Sequence, residues 1–262
     1  VHKQIVRKAA EQRDIVLKPS VSLHYVEVTE ADMHDPKGDM QRLIEALEFE
    51  WQLAGLSYDF SLLADLQAAL RQGQWAVTAA VYKNQRILAV WPGLRETVYG
   101  VAIDVGSTTV AAHLCDLSTG AVLGSSSLMN PQIRFGEDLM SRVSYIMMHP
   151  EAAEALTQAI REGLNSILSD ICENQGISRA EILEIVLVGN PIMHHIFLGI
   201  NPIELGGAPF ALATDEAVNI KAAEMGLQIH PAGMVYVLPC IAGHVGADAA
   251  GVVLAEEPQL QE

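Results

Sequence analysis

Tyr99-Gly100-Val101-Ala102-Ile103-Asp104-Val105-Gly106-Ser107-Thr108-Thr109-Val110 is the stretch whose reading decides the fold. Val101, Ile103 and Val105 alternate with smaller or polar neighbours, the period-two pattern of a strand. An aspartate stands at the strand's end. Gly106 follows, where the chain can reverse without a side-chain clash and bare its backbone N–H groups. Three hydroxyl residues come next, then a second apolar run, Val110-Ala111-Ala112. Consecutive N–H donors in a tight turn form an anion nest, and neighbouring hydroxyls add donors for phosphate oxygens. A strand-end carboxylate such as Asp104 can hold magnesium through water, because that ion keeps much of its hydration shell. The stretch therefore predicts a nucleotide-phosphate loop on a β-hairpin, with Asp104 as metal-holding residue and Gly106, Ser107, Thr108 and Thr109 around the phosphates. An ordinary hairpin with an aspartate at a buried edge shares these features, and the flanking chain has to separate the two readings.

The 262 residues are half hydrophobic and only 5% aromatic, so a core of Leu, Ile, Val and Ala can fill one large domain or two ordinary ones. The formal charge is −16, from 16 basic and 32 acidic residues. That balance argues against nucleic-acid binding, which needs a basic surface to displace counterions, and it fits a soluble cytoplasmic protein. Cys115, Cys172 and Cys240 are widely spaced and form no C-x-x-C, so they read as reduced thiols, mostly buried, rather than a zinc or iron–sulfur site. The longest apolar runs, Ile182 to Val188 and Met234 to Ala242, are too short to span a bilayer, and no signal-peptide pattern is present. The chain opens at Val1 with a basic amphipathic segment, as a piece of a longer protein would.

Working outward, residues 1–19 carry Lys3, Arg7, Lys8, Arg13 and Lys18 and read as a linker. Residues 20–96 form a small α+β domain with no catalytic pattern. Val21 to Val28 alternates as a strand. A helix follows with Met40, Leu43, Ile44, Leu47, Trp51 and Ala54 on one face, stopped by Gly55. A second helix is expected from Phe60 to Leu70, closed by Arg71-Gln72-Gly73. Trp75–Tyr82 and Arg86–Trp91 then form a hairpin about Lys83-Asn84-Gln85. Trp51, Trp75 and Trp91 read as core or interface packing.

Residues 97–262 read as β-β-β-α-β-α-β-α. The strands are expected at 99–104, up to Asp116, at 121–128, at 182–188 and at 235–238. One long helical region follows the third strand, and its first part begins near Phe135-Gly136-Glu137-Asp138. Its second part begins at Pro150, a favoured first-turn residue, and ends before Gly176. Leu156, Ile160, Leu164, Ile167, Leu168 and Ile171 stripe this second part. A short helix runs through His194 to Leu198, and a last one opens near Gly243 and runs to Leu254. This order resembles the first lobe of the actin-like (ribonuclease H-like) ATPases, the superfamily of sugar kinases, actin and heat-shock chaperones. In that superfamily the lobe occurs twice and nucleotide lies between the copies. No G-x-x-x-x-G-K-[ST] stretch offers a Walker loop instead.

Three further stretches fall beside the predicted cleft. Asn130-Pro131-Gln132-Ile133-Arg134-Phe135-Gly136-Glu137-Asp138 is richer in polar and charged residues than a connector needs, and Arg134 and Asp138 suggest either an ion-paired loop or a catalytic role. Val188-Gly189-Asn190-Pro191-Ile192-Met193-His194-His195 follows a strand at its carboxyl end, where open α/β sheets bind ligands. Adjacent residues on a helix point about 100° apart, so His194 and His195 are a poor chelating pair and better suited to packing or hydrogen bonding. Leu238 to Asp248 has small residues that admit close helix approach. Asp248 there is a candidate to position water or magnesium, or simply compensates a helix N-terminus.

Together with Gly100–Thr109, the segments Asn130–Arg142, Val188–Gly199 and Leu238–Asp248 resemble the reductive activators of corrinoid proteins, the RACo/RamA-like family. The likeness covers the chain from Val21 onward. It implies an N-terminal ferredoxin domain, a linker, a small middle domain and a two-lobed ATPase. Such proteins use ATP to return a Co(II) corrinoid to Co(I), with electrons from their own two-iron two-sulfur cluster. The cofactors implied are ATP and Mg²⁺, with the cluster only in the parent protein, and the partner is a corrinoid protein of a methyltransferase system. Gly189, Asn190, Gly243 and Gly246 join the nucleotide-binding residues, and Asp104 and Asp248 are the catalytic candidates. The ferredoxin cysteines and the second lobe's phosphate loop and adenosine-binding glycines are not among these residues, so the chain reads as a truncated core that is inactive alone. A homodimer is compatible with this reading. The alternatives are an activator ATPase of a radical dehydratase, a small-molecule kinase of the same superfamily, or a non-catalytic interaction or dimerisation module.

Overall fold

The computed structural model describes residues 17–256, so most of the basic segment read as a linker lies outside the described residues. The first sheet holds β1 (Val21–Glu27), β2 (Ser57–Tyr58), β3 (Ala76–Tyr82) and β4 (Arg86–Pro92), in the order β1-β3-β4-β2. Helices α1 (Asp39–Trp51) and α2 (Leu62–Gln72) cover it with Leu43, Leu47, Leu62, Leu66 and Leu70. The β3–β4 hairpin closes through Lys83 and Asn84, both left-handed at φ 48° and 54°, with Gln85 N–H donating to Tyr82 O at 2.9 Å. Two left-handed central residues match the twist of the flanking strands.

The expected end of α1 is corrected. The helix stops at Trp51, and Gln52 (φ 57°) rather than Gly55 is the left-handed cap, its N–H donating to Glu48 O. The cap turns the chain so that Leu53 and Leu56 are buried, while Ala54 is exposed. Trp51 is half exposed and donates Nε1–H to Tyr25 O at 2.8 Å, covering part of the free edge of β1. β2 is only two residues long, too short to show a sequence period. α2 begins two residues later than expected.

The second sheet holds β5 (Tyr99–Val105), β6 (Thr109–Asp116), β7 (Val122–Met129), β8 (Ile182–Gly189), β9 (Val218–Lys221) and β10 (Met234–Val237). Its order is β7-β6-β5-β8-β10-β9; β5, β8 and β10 run parallel, and β9 is an antiparallel edge that the expected strand order does not contain. Helix α3 (Leu139–Met148) is separate from α4 (Ala152–Gln175), and Pro150 precedes the α4 cap Glu151 instead of opening the first turn. Gly176 closes α4 at φ 66°. The predicted stripe from Leu156 to Ile171 is buried against Val101, Ile103, Val105, Ile185 and Leu187. Helix α5 (Pro191–Leu198) follows β8. Helix α6 begins at Ala247 (Ala247–Glu256), four residues after Gly243, because Ala242 and Val245 bridge to one another first. Gly251 of α6 packs on Val188, which points to the sheet face opposite Ile185 and Leu187.

A bulge joins the two sheets. Opposite β5, Tyr99 pairs with Ile182 but Gly100 with Glu184, so Leu183 is the extra residue. Leu183 thereby packs with Met234 and Ala232 against Val21, Ala80, Tyr82 and Leu88 of the first sheet, with Trp91 alongside. Polar ties surround this contact. Ser20 donates to Glu184, Tyr82 OH to Asn219 at 3.0 Å and Arg95 to Glu181 at 2.6 Å, and Lys221 pairs with Asp59. Burial raises the Glu184 carboxyl, opposed by the Ser20 bond and the Lys83 charge.

Two outcomes follow from this interface. Leu88 is fully buried in it, so Leu88→Ala will cost about 2–5 kcal/mol in urea unfolding, whereas Leu94→Ala on the exposed surface will cost about nothing. Burial would raise Asp59, but hydrogen bonds from Lys221 and Ser61 outweigh it and hold the carboxyl at about 2 against an ordinary 3.8. A depressed carboxylate contributes fully above the unfolded value and loses that contribution as pH falls towards the folded one. Between pH about 4 and 2 the wild type will therefore lose about 1–2 kcal/mol that Asp59→Asn does not, after allowing for solvent at Lys221.

Candidate functional site

The carboxyl ends of β5, β8 and β10 lie side by side, with Asp104 opposite Val188, Val105 opposite Gly189 and Val237 opposite Leu187. Side chains alternate along β5, so Val101, Ile103 and Val105 enter the core while Asp104 shares the opposite face with Val188 and α6. Asp104 is half-buried there, Gly106 and Ser107 are half-buried, and Thr108 and Thr109 are exposed. The turn is therefore open to its surroundings.

Its backbone is set from behind. Gly106 N–H donates to Thr109 O at 3.1 Å, and a Cβ on Gly106 would meet that oxygen at 2.6 Å, so only glycine fits. Asn130 Nδ2 donates to Gly106 O at 2.8 Å, Arg142 Nη2 to Ser107 O, and Asn130 N–H to Thr108 O at 2.8 Å. In a trans peptide the carbonyl and the next N–H point in opposite directions. Holding the oxygens of Gly106 and Ser107 inward consequently turns the N–H groups of Ser107 and Thr108 outward, and neither has a backbone acceptor among the described residues. This is the donor arrangement of an anion nest.

The support has its own order. Asn130 caps a 3₁₀ turn, Pro131–Phe135, by accepting from Gln132 N–H at 2.9 Å, and Gln132 Nε2 reaches Leu156 O in α4 at 3.0 Å. Arg142 adds bonds to Gly136 O at 3.0 Å and to Gln132 Oε1 at 3.3 Å. Met193 Sδ of α5 lies 3.3 Å from Arg142 Nη1 and 3.7 Å from Asn130 Nδ2. Asn130, Gln132 and Arg142 are all fully buried. Sequence reading passed over Gln132 and Arg142 as individual residues, although the unusual polarity of Asn130–Asp138 was the signal that pointed towards them.

Other expected residues take definite places. Asp138 caps α3 in a reciprocal pair with Ser141, whose backbone and hydroxyl bonds lower its carboxyl, while Arg134 stacks on the Phe135 ring instead of pairing with it. Gly189 and Gly246 are close-approach positions: added Cβ atoms would meet Val105 O at 3.1 Å and Asn190 Cα at 2.6 Å. Asn190 caps α5, accepting from Met193 N–H at 3.0 Å. Gly243 lies beneath Phe210, whose carbonyl oxygen an added Cβ would meet at 1.8 Å. Asp248 is exposed in the first turn of α6 and accepts from Ala249 N–H. Asn190, His244, Gly246, Asp248 and Val252 line an open groove of about 390 Å³ beside these strand ends.

His194 and His195 are buried in α5 with their Nδ1 atoms 3.3 Å apart. Ala213 N–H donates to His195 Nε2 at 3.0 Å, so neutral His195 carries its proton on Nδ1. Burial, helped by the neighbouring ring, pushes His194 down to about 4; burial also lowers His195, against a bond to Pro191 O. Their chemistry here is that of neutral core histidines that tether the 207–217 segment. Cys172 and Cys240 are buried and Cys115 half-buried, all as free thiols. No helix among the described residues is long and apolar enough to cross a membrane.

Residues 10–97 match the RACo linker region and residues 99–260 the RACo middle region, a division that falls at the start of β5. The corrinoid activation enzyme RamQ of Eubacterium limosum is 38% identical over 157 residues, 60% of this chain and 26% of RamQ. A solved reductive activator for corrinoid, iron-sulfur protein is 31% identical, with a TM-score of 0.82 over 97% of this chain and 41% of its own. The chain thus spans about a quarter of the curated relative's length and two-fifths of the solved one's. Carrying both the linker and the middle region, the chain belongs to the RACo family of corrinoid reductive activators.

Proposed function

We propose that these residues are the nucleotide-binding core of an ATP-dependent reductive activator, which restores a corrinoid protein's cobalt from Co(II) to Co(I). The observation that carries this reading is the Asp104–Thr109 turn. Two adjacent amides face outward, a glycine admits no side chain, and a half-buried carboxylate stands beside the ends of three parallel strands. The order β7-β6-β5-β8-β10, with helices after β7, β8 and β10, supports taking residues 97–262 as the first lobe of an actin-like ATPase. Residues 20–96 are then the small α+β domain and 1–19 a linker.

On this reading the Ser107 and Thr108 amides and the hydroxyls of Ser107, Thr108 and Thr109 bind phosphate oxygens. Asp104 would hold a hydrated magnesium ion, which supplies charge neutralisation at the phosphates. Asp248 orients water from the first turn of α6, and Gly189, Asn190, Gly243 and Gly246 shape the floor on which nucleotide rests. The reduction itself transfers one electron to cobalt from an iron–sulfur cluster carried outside these residues. ATP drives this step by differential affinity: closure around nucleotide favours the complex in which the docked corrinoid is more readily reduced. The bulged contact between the two sheets gives such closure a rigid route to the small domain.

The complete protein will reduce its Co(II) corrinoid partner faster with Mg-ATP than without, followed by absorbance, and equal rates would end the coupling claim. Asp104→Asn will weaken Mg-ATP binding by about tenfold or more, worth about 1.4 kcal/mol. Gly106→Ala will lose binding as well, through the Thr109 O contact, and calorimetry reads both.

A further inference from the structure

Arg142 brings a full positive charge to the rear of the turn, and the described residues pair no anion with it. Its guanidinium is fully buried, and its partners are the Gly136 and Ser107 carbonyls, the Gln132 amide oxygen and the Met193 sulfur, all neutral. Asp138 acts on it only at a distance; its carboxylate is engaged with Ser141, and Arg142 joins no ion pair within 4 Å among the described residues. Arg42 shows the ordinary solution. It is equally buried and sits 2.9 Å from the Asp35 carboxylate.

An arginine cannot shed its proton at neutral pH, so a buried one without a counter-ion is costly unless an anion completes the site. The geometry says where that anion belongs. Arg142 holds the oxygen of the Ser107–Thr108 peptide, and the N–H of the same peptide unit points the other way, out of the turn. The guanidinium polarises that peptide and strengthens its outward donor. Its field also acts through a buried interior, where screening is weaker than in bulk water.

We propose that Arg142 is a positioning residue for the bound polyphosphate: a buried counter-charge, relayed through the Ser107–Thr108 peptide, that makes the turn select highly charged anions over neutral hydrogen-bonding groups. The proposal rests on the phosphate-seat reading above. It differs from a purely structural role for Arg142, in which the guanidinium only ties Gly136, Gln132 and Ser107 together.

The test is calorimetry of the complete protein with Mg-ATP, Mg-ADP and Mg-AMP, for wild type, Arg142→Gln and Arg142→Lys, with melting of each ligand-free form. Wild type will bind more tightly with each added phosphate. Arg142→Gln will lose about tenfold or more for ATP and least for AMP, flattening that series. Arg142→Lys keeps the charge and gives up the fork, so it will stay within about threefold of wild type for ATP even though its ligand-free melting temperature falls. A purely structural role predicts instead that both variants weaken all three nucleotides alike, in step with their melting temperatures, and that result overturns the proposal. If the glutamine variant does not fold, the lysine variant decides alone, a tenfold loss for ATP counting against the charge. Wild type that binds no Mg-ATP would reject the phosphate-seat reading itself, and the proposal with it.

Discussion

Three successive carbonyl oxygens, on Gly106, Ser107 and Thr108, are held inward by two residues from the connection after β7 and the helix beyond it. Because each peptide unit is planar, fixing its oxygen also fixes the direction of the next N–H. The outward donors at Ser107 and Thr108 are thus a consequence of buried bonds made by Asn130 and Arg142. Backbone donors aimed in advance cost no reorganisation when a ligand's charge arrives, which is the physical basis of electrostatic preorganisation. The rest of the second sheet can be understood as the scaffold for this. α4 lends Leu156 O to Gln132, α5 lends Met193 to the polar node, and the core beneath keeps all three in register.

A turn on a hairpin would be mobile without that node. Buried polar networks stiffen a structure when every member is satisfied and weaken it when one is not. Asn130, Gln132 and Arg142 are fully buried, and each has partners for its polar atoms. His194 stands in contrast, since its Nε2 is buried without a partner and the histidine pair is held neutral. The pair's visible work lies elsewhere, in the bond from Ala213 that anchors the segment crossing Gly243.

The contact between the sheets depends on one extra residue. The bulge turns Leu183 out of the second sheet's core, where Ile182, Ile185 and Leu187 lie, and onto the first sheet. The contact is then closed by polar ties that include the buried Glu184 carboxyl and the Asp59–Lys221 pair.

Periodicity alone determined much of this protein. The alternation in Tyr99–Val105, the stripe along α4, the hairpin about Lys83-Asn84 and the helix after Asn190-Pro191 were all legible, because each reflects contacts between residues near in sequence. The glycine turn and its aspartate were legible for the same reason. Tertiary structure decided what has no local signature. It decided that Gln52 and not Gly55 caps α1, where Leu53 must reach the core. It paired the short strands β2 and β9 with distant edges. It placed Arg142 behind Ser107, 35 residues away in the chain. A buried arginine and a surface arginine are the same letter, and only the fold states which carbonyl each one faces.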